Sequence, residues 1–340
     1  MLARLARELP RGPFLYDPKW DGFRCLAFRH GDEVDLRSRN QRPLARYFPE
    51  VVEALLQLPK RHFVLDGELI VGGADGLDFE ALLARLHPAA SRVERLRRET
   101  PAALIAFDLV AVGSRDLRDR PFSERRNELE ALLADARPPL QVTPLTADAD
   151  VAEGWLERFQ GAGIDGVVAK HEDLRYQHGR RAMVKVKRER TADCVVAGFR
   201  WLVDRPLPSS LLLGLYEDGS LRHVGIASGF AERKRHELLE RLRPFVVPLE
   251  GHPWETGFLL PGGPAGRLPG AAGRWAPGMT QDWTPIAPQL VCEVAYDQVD
   301  VDRFRHPARF KRWRPDRDAQ SCALDQIDLG RVDLGDLFPR

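Results

Sequence analysis

Cysteine is scarce in this chain of 340 residues: Cys25, Cys194, Cys292 and Cys322 are far apart, with no C-x-x-C pair and no H-E-x-x-H. Neither a disulfide framework nor a zinc site is indicated, and the four read as reduced structural thiols. Long apolar runs are missing too, so no segment is expected to span a bilayer. The opening Met1-Leu2-Ala3-Arg4-Leu5-Ala6-Arg7 is interrupted by arginines and lacks the continuous apolar stretch and small-residue cleavage pattern of a secretory signal, which makes a cytoplasmic location the expectation. Net charge is nearly absent, at +1 from 51 basic and 50 acidic residues. That total decides nothing about an anionic polymer, which responds to local potential. What the chain does have is length and apolar content: 340 residues at 44% hydrophobic can bury real cores and exceed the usual single-domain size.

The pattern along the chain is that of an α+β domain followed by a β-rich one. Leu26 to Arg39 reads as two strands around His30-Gly31-Asp32, and His62 to Val71 and Leu104 to Val110 as further strands. Apolar residues recur at helical spacing in Tyr47 to Leu56, Asp78 to Leu86, Ser123 to Leu133 and Val151 to Gln160, with Asp78 and Ser123 as expected N-caps. From Cys194 onward short strands dominate: Cys194 to Phe199, Leu211 to Tyr216, Leu221 to Ile226 and Val291 to Tyr296, with Glu217-Asp218-Gly219-Ser220 as a hairpin turn. One helix, Ala231 to Leu242, interrupts them, which suggests a small β-barrel with an inserted helix. Glu250 to Pro288, rich in Gly and Pro and carrying Trp254, Trp275 and Trp283, reads as a long irregular loop, and the tail with Asp325, Asp328, Asp333 and Asp336 as loosely packed surface.

Chemistry is suggested by an ordered series: Lys19-Trp20-Asp21-Gly22-Phe23-Arg24, Ser38-Arg39-Asn40, Leu65-Asp66-Gly67-Glu68-Leu69, Phe107-Asp108-Leu109, Asp165 to Lys170, and Lys185-Val186-Lys187. A lysine nucleophile must lose its proton, and at a reference pKa near 10.4 only about 0.04% is neutral at pH 7. Nearby cations shift it in the required direction, and Arg24, Lys185 and Lys187 are candidates that would also neutralise a triphosphate. Alone, Lys19 is a surface lysine beside a turn; the series makes it more. Gly67 allows close approach of a ligand or another backbone beside Glu68. Carboxylates beside a phosphate site make sense as ribose acceptors or magnesium ligands, or else as partners of a neighbouring arginine. Phe107 at a strand end is a core residue or an apolar platform for a purine. Asp66 and Asp108 are left to orient neighbouring groups. Two basic clusters remain, Arg180, Arg181, Lys185, Lys187, Arg188 and Arg190, then Arg303, Arg305, Arg309, Lys311, Arg312, Arg314 and Arg317. In a strand, Lys185 and Lys187 point to one face, a poor arrangement unless an anion lies there.

On these motifs the chain resembles the ATP-dependent DNA ligases of the covalent nucleotidyltransferase superfamily, and among them stand-alone bacterial ligases related to those of end joining. The resemblance runs from Tyr16 to Asp325. It implies an α+β nucleotidyltransferase (ATP-grasp-like ligase) domain of antiparallel sheets and helices over residues 1–190, a β-barrel OB-fold domain over 191–325 and a C-terminal tail over 326–340. It implies that Lys19 is the adenylated nucleophile, that Asp17 recognises adenine, that Arg24, Arg39 and Glu68 hold the ribose and phosphate region, and that Phe107 stacks on adenine. It further implies that Glu68 and Asp165 support Mg2+ or Mn2+, that Lys185 and Lys187, joined by Arg180, bind phosphate, and that Arg305, Arg312, Arg314, Asp316 and Arg317 contact DNA or pyrophosphate. Asp17 and Asp165 stand where glutamate is commoner, and Arg317 where lysine is frequent.

The implied activity is sealing of 5′-phosphate/3′-hydroxyl nicks in duplex DNA for repair, with ATP as cofactor, by a monomer that is not membrane-bound and has other DNA-repair proteins as further expected partners. The rival readings are an RNA ligase or a capping guanylyltransferase, separated by ATP against GTP and DNA against RNA, and a non-catalytic nucleic-acid-binding OB module, which would bind nicked DNA without becoming labelled.

Overall fold

The computed structural model describes residues 1–73, 76–87, 89–159, 162–257, 283–300 and 302–327. They form two compact units, Met1–Arg188 and a second that starts at Glu189. In the first, strands β1 (Ala3–Ala6), β2 (Phe14–Trp20), β3 (Phe23–His30), β4 (Glu33–Ser38), β5 (His62–Gly73), β6 (Gly76–Leu77), β7 (Ala102–Val112), β8 (Arg115–Asp116), β9 (Leu140–Val142), β10 (Ile164–His171) and β11 (Met183–Val186) alternate with helices α1 (Pro49–Gln57), α2 (Phe79–Ala84), α3 (Ala90–Glu99), α4 (Phe122–Leu132) and α5 (Ala149–Arg158). Two sheets result. One runs β4-β3-β5-β7-β8, with β6 on β5 and β9 on β7; the other runs β1-β11-β10-β2. Pairing is antiparallel except for β1 on β11 and β9 on β7, which are parallel.

The apolar side of the larger sheet, with Leu65, Leu69, Leu104 and Leu109, buries against Phe48, Val51 and Leu55 from the α1 region, Leu82 of α2 and Leu129 of α4. Each such side chain contributes roughly 1.5–3 kcal/mol when fully buried. Asp78 caps α2 as expected, its side chain accepting from the Ala81 N–H. Ser123 does not cap α4: the helix opens at Phe122 after Pro121, and the Ser123 N–H donates to the Glu172 carbonyl instead. The helix expected from Tyr47 starts at Pro49, after a short 3-10 turn at Ala45–Tyr47, and α5 starts earlier than expected because Asp148 caps it. Strand β1 and helix α3 were not anticipated; of α3 only Val93 and Leu96 are buried, too few to make a periodic signal.

The second unit contains β12 (Arg190–Trp201), β13 (Pro208–Glu217), β14 (Ser220–Ala227), α6 (Glu232–Leu242), β15 (Thr284–Tyr296), β16 (Val299–Asp300), β17 (Arg303–Phe304) and β18 (Arg309–Trp313). Its five-stranded sheet runs β14-β13-β12-β15-β18. A bridge between Ala227 and Ala308 joins the two edges, making the barrel around Val195, Leu211, Leu213, Val224, Leu242 and Val294. Part of the stretch expected to be irregular is ordered: β15 starts at Thr284, and Trp254, 1% exposed, donates its indole N–H to the Leu221 carbonyl and meets Trp283 edge to face. Trp275 and the acidic residues Asp328, Asp333 and Asp336 lie outside the described residues. All four cysteines are buried free thiols, and among the described residues no helix is long and apolar enough to cross a membrane.

Candidate active site

A cavity of about 290 Å³ opens between the two sheets of the first unit, lined from β2 by Asp17 and Lys19, from β3 and β5 by Arg24 and Glu68, from β7 by Phe107 and from β11 by Lys185. Arg39, just after β4, also lines it. Seven residues singled out in the sequence thus meet at one place.

Lys19 owes its surroundings to a β-bulge. The register of β10 against β2 shifts between Ile164 and Val167, and the two residues in the irregularity are Asp165 and Gly166. A bulge re-aims a side chain, and here the Asp165 carboxylate stands 2.5 Å from the Lys19 Nζ and 2.5 Å from the Lys187 Nζ. Gly166 sits at φ +143, and a Cβ on it would lie 2.2 Å from the Val186 carbonyl oxygen, so only glycine fits. The two ammonium groups outweigh burial and hold the Asp165 carboxyl below its usual range. Gly22 and Gly67 serve packing in the same way: a Cβ would come 2.1 Å from the Leu69 oxygen and 2.7 Å from the Ile105 oxygen, respectively.

Lys185 and Lys187 both come to the Lys19 site: Lys185, in β11, lines the cavity, and Lys187, one residue past the strand end at Val186, reaches Asp165, the carboxylate that also holds Lys19. Burial, together with Lys19 and Lys187, lowers the pKa of Lys185. Arg180 is not among the lining residues; its carbonyl accepts from the Leu2 N–H, and its neighbour Arg181 lines the cavity.

Arg24 is held by the protein itself. Its guanidinium forms two bonds to Asp66, at 2.9 and 2.6 Å, and another to the Met1 carbonyl, while Tyr176 Oη donates to the same Asp66 at 2.8 Å. Burial disfavours its charge, yet Asp66 more than offsets this and raises its pKa. Asp108 instead pairs with the buried Arg125 at 2.8 and 2.9 Å, away from any ligand role. Phe107 presents a partly exposed ring to the cavity.

Sequence reasoning gave no role to Lys170, although it closes the Asp165-to-Lys170 run. Its Nζ stands 2.7 Å from Asp17 and lies over the rings of Phe107 and Phe122 at 5.0 and 4.5 Å. Burial pushes the Asp17 carboxyl up, against the pull of Lys170. Leu2 and Ala3 also line the cavity, through the unanticipated β1.

Glu68 is a carboxylate with no ion pair among the described residues, and burial pushes it up to about 8 despite Lys19 and Arg24. It fits a divalent cation, which would compensate its charge; Asp165 would have to be shared with two ammonium groups. Among the described residues no three acidic, histidine or cysteine side chains converge on a metal position. Magnesium does not require that, since it binds through one or two carboxylates and substrate phosphates.

The residues expected to contact DNA or pyrophosphate lie in the second unit, each with a partner there. Arg305 bonds Gln298, Arg312 bonds Glu293, Arg314 bonds both Asp193 and Asp316, and Arg317 is 3.8 Å from Asp193.

Comparison with known proteins agrees over the whole chain. Residues 1–187 match the model of the ATP dependent DNA ligase domain and residues 204–317 that of the ATP dependent DNA ligase C terminal region. DNA ligase C2 of Mycolicibacterium smegmatis is 49% identical over 332 residues, 96% of this chain and 93% of that protein. DNA ligase C of Mycobacterium tuberculosis is 47% identical over 347 residues, 100% of this chain and 96% of that protein. A solved structure from a study of Lig E DNA ligases shares the fold, with a TM-score of 0.54 at 19% identity over 92% of this chain and 99% of that one. With a nucleotide-sized cavity built from the six motifs and relatives matched from end to end, the chain belongs to the ATP-dependent DNA ligases.

Proposed function

We propose that this ligase seals 5′-phosphate/3′-hydroxyl nicks in duplex DNA through a lysine-AMP intermediate on Lys19, and that it serves DNA repair. The observation that carries the reading is the Lys19 amine in a nucleotide-sized cavity, 2.5 Å from a carboxylate aimed by a bulge and shared with Lys187. In the first step the Lys19 nitrogen attacks the α-phosphorus of ATP; the N–P bond forms as the bond to the bridging oxygen breaks, and pyrophosphate leaves. The proton released from the amine has Asp165 beside it. In the second step an oxygen of the DNA 5′-phosphate displaces the lysine nitrogen, which recovers its electron pair. In the third the 3′-hydroxyl attacks the activated phosphorus and AMP departs.

Lys185 is suited to the charge on the phosphates, Phe107 to the purine face and Asp17 to the adenine edge, all from the cavity wall. Glu68, with Asp165, would hold Mg2+ or Mn2+, which supplies positive charge against the phosphate oxygens when bound. In this reading residues 1–190 are the adenylation domain and 191–325 the OB-fold domain, whose Arg305, Arg312, Arg314, Asp316 and Arg317 contact DNA or pyrophosphate. Intact-mass spectrometry after incubation with ATP should reveal one AMP per chain, and Lys19→Met should abolish both the adduct and sealing of a nicked duplex. An adduct retained in that variant, or formed with GTP and not ATP, would overturn the proposal.

A further inference from the structure

At the ends of β3 and β5 away from the cavity, His30 and His62 face each other in the antiparallel register. Both are exposed, their ring centroids are 4.7 Å apart at 67°, and their Nδ1 atoms are 3.2 Å apart. Two nitrogen ligands of a tetrahedral ion with bonds of about 2.0–2.1 Å stand about 3.3–3.4 Å apart, so the pair is already close to a chelating separation. A hydrogen bond between one protonated and one bare Nδ1 also suits that distance, and the experiment below separates the two.

The sheet supplies a third donor. Glu33 of β4 is the register partner of His30, so Glu33, His30 and His62 form a row across three adjacent strands. Register partners share a face, with Cβ atoms about 4.5–5.5 Å apart. Glu33 is exposed and has no ion pair among the described residues. Among the described residues no three such groups converge on a metal position as the side chains stand, so a three-donor site requires the exposed Glu33 side chain to rotate toward the imidazoles. The frame is fixed: Gly31 at φ +61 turns the chain between β3 and β4, its N–H bonds the Arg61 carbonyl at 2.8 Å, and the neighbouring Arg61 cation is balanced by Asp32 at 2.6 Å.

We propose that His30, His62 and Glu33 bind a borderline transition-metal ion such as Zn2+. Imidazole donors select such ions, while magnesium prefers oxygen. The site is not the catalytic one: His30 lies roughly 20 Å along β3 from Arg24 at about 3.3 Å per residue. Its effect is to tie β3 to β5, the two strands that deliver Arg24 and Glu68.

The test is calorimetric titration of the full-length protein with ZnCl2 in excess Mg2+, alongside thermal melts with and without zinc. Wild type should bind one equivalent that His30→Gln and His62→Gln each lose, Glu33→Gln should bind it several-fold more weakly, and zinc should raise the melting temperature of wild type, that of Glu33→Gln less, and that of neither histidine variant. Zinc uptake by both histidine variants equal to wild type, or none by wild type, overturns the site and leaves the hydrogen bond as the role of the pair. Unchanged affinity in Glu33→Gln overturns the three-ligand arrangement. Melts of the variants without zinc verify that they are folded.

Discussion

Burial around Glu68 gives the ligand-free protein a pH dependence of stability. A carboxyl whose folded pKa, about 8, exceeds its ordinary value of 4.5 adds stability that is complete below the lower value and lost as pH rises through the higher. Denaturant melts at a series of pH values should therefore show stability falling across that window, and Glu68→Gln should flatten that part of the profile. A divalent cation with nucleotide compensates the charge, so its stabilising effect should grow as pH rises. The pair Asp108 and Arg125 makes the second residue-level prediction: both are buried and doubly bonded. Arg125→Met strands the Asp108 charge and should cost about 3–5 kcal/mol in a urea melt. At this scale the sequence was informative about which residues gather: Lys19, Arg24, Glu68 and Phe107, singled out by type and order, all line one cavity. It was silent on Lys170, because a lysine pinned between one carboxylate and two rings draws on residues 17, 107 and 122, which are far apart in the chain.

Among the elements, the bulge in β10 matters most, since it sets where Asp165 points. Gly166→Ala adds a Cβ 2.2 Å from a carbonyl oxygen at a φ of +143, a strain of about 1–3 kcal/mol. The variant should fold with lower stability and form the AMP adduct more slowly than wild type, which quenched-flow mass spectrometry can measure. Gly166→Ala with unchanged adduct kinetics would mean that the bulge is not needed to aim Asp165. Strands β3, β5, β7, β12 and β13 were readable because they are apolar runs between polar turns. β15 is legible in the sequence only from Val291 because Pro285 and Pro288 are residue types of loops; Pro285 is accommodated opposite Gly198, where the register with β12 shifts. β1 was hidden because Ala3–Ala6 has no periodicity of its own and takes its strand character from pairing with β11.

For the whole molecule, the charge balance of +1 conceals local concentrations, with Arg309, Lys311, Arg312, Arg314 and Arg317 following each other on and after β18. If those groups meet a phosphate backbone, sealing of nicked duplex should fall steeply between low and physiological salt. A nearly flat response in a sealing assay would remove backbone contact as their role. The first unit also carries its own gauge of loading. Before reaction, Lys19, Lys187 and Asp165 together hold one surplus positive charge. A nitrogen bonded to phosphorus no longer bears that charge, so in the proposed adduct Asp165 and Lys187 are left as an electroneutral couple facing the new phosphoramidate. The carbon resonance of the Asp165 carboxylate should therefore differ between the empty and the charged enzyme, reporting from inside the fold which of the two is in the tube.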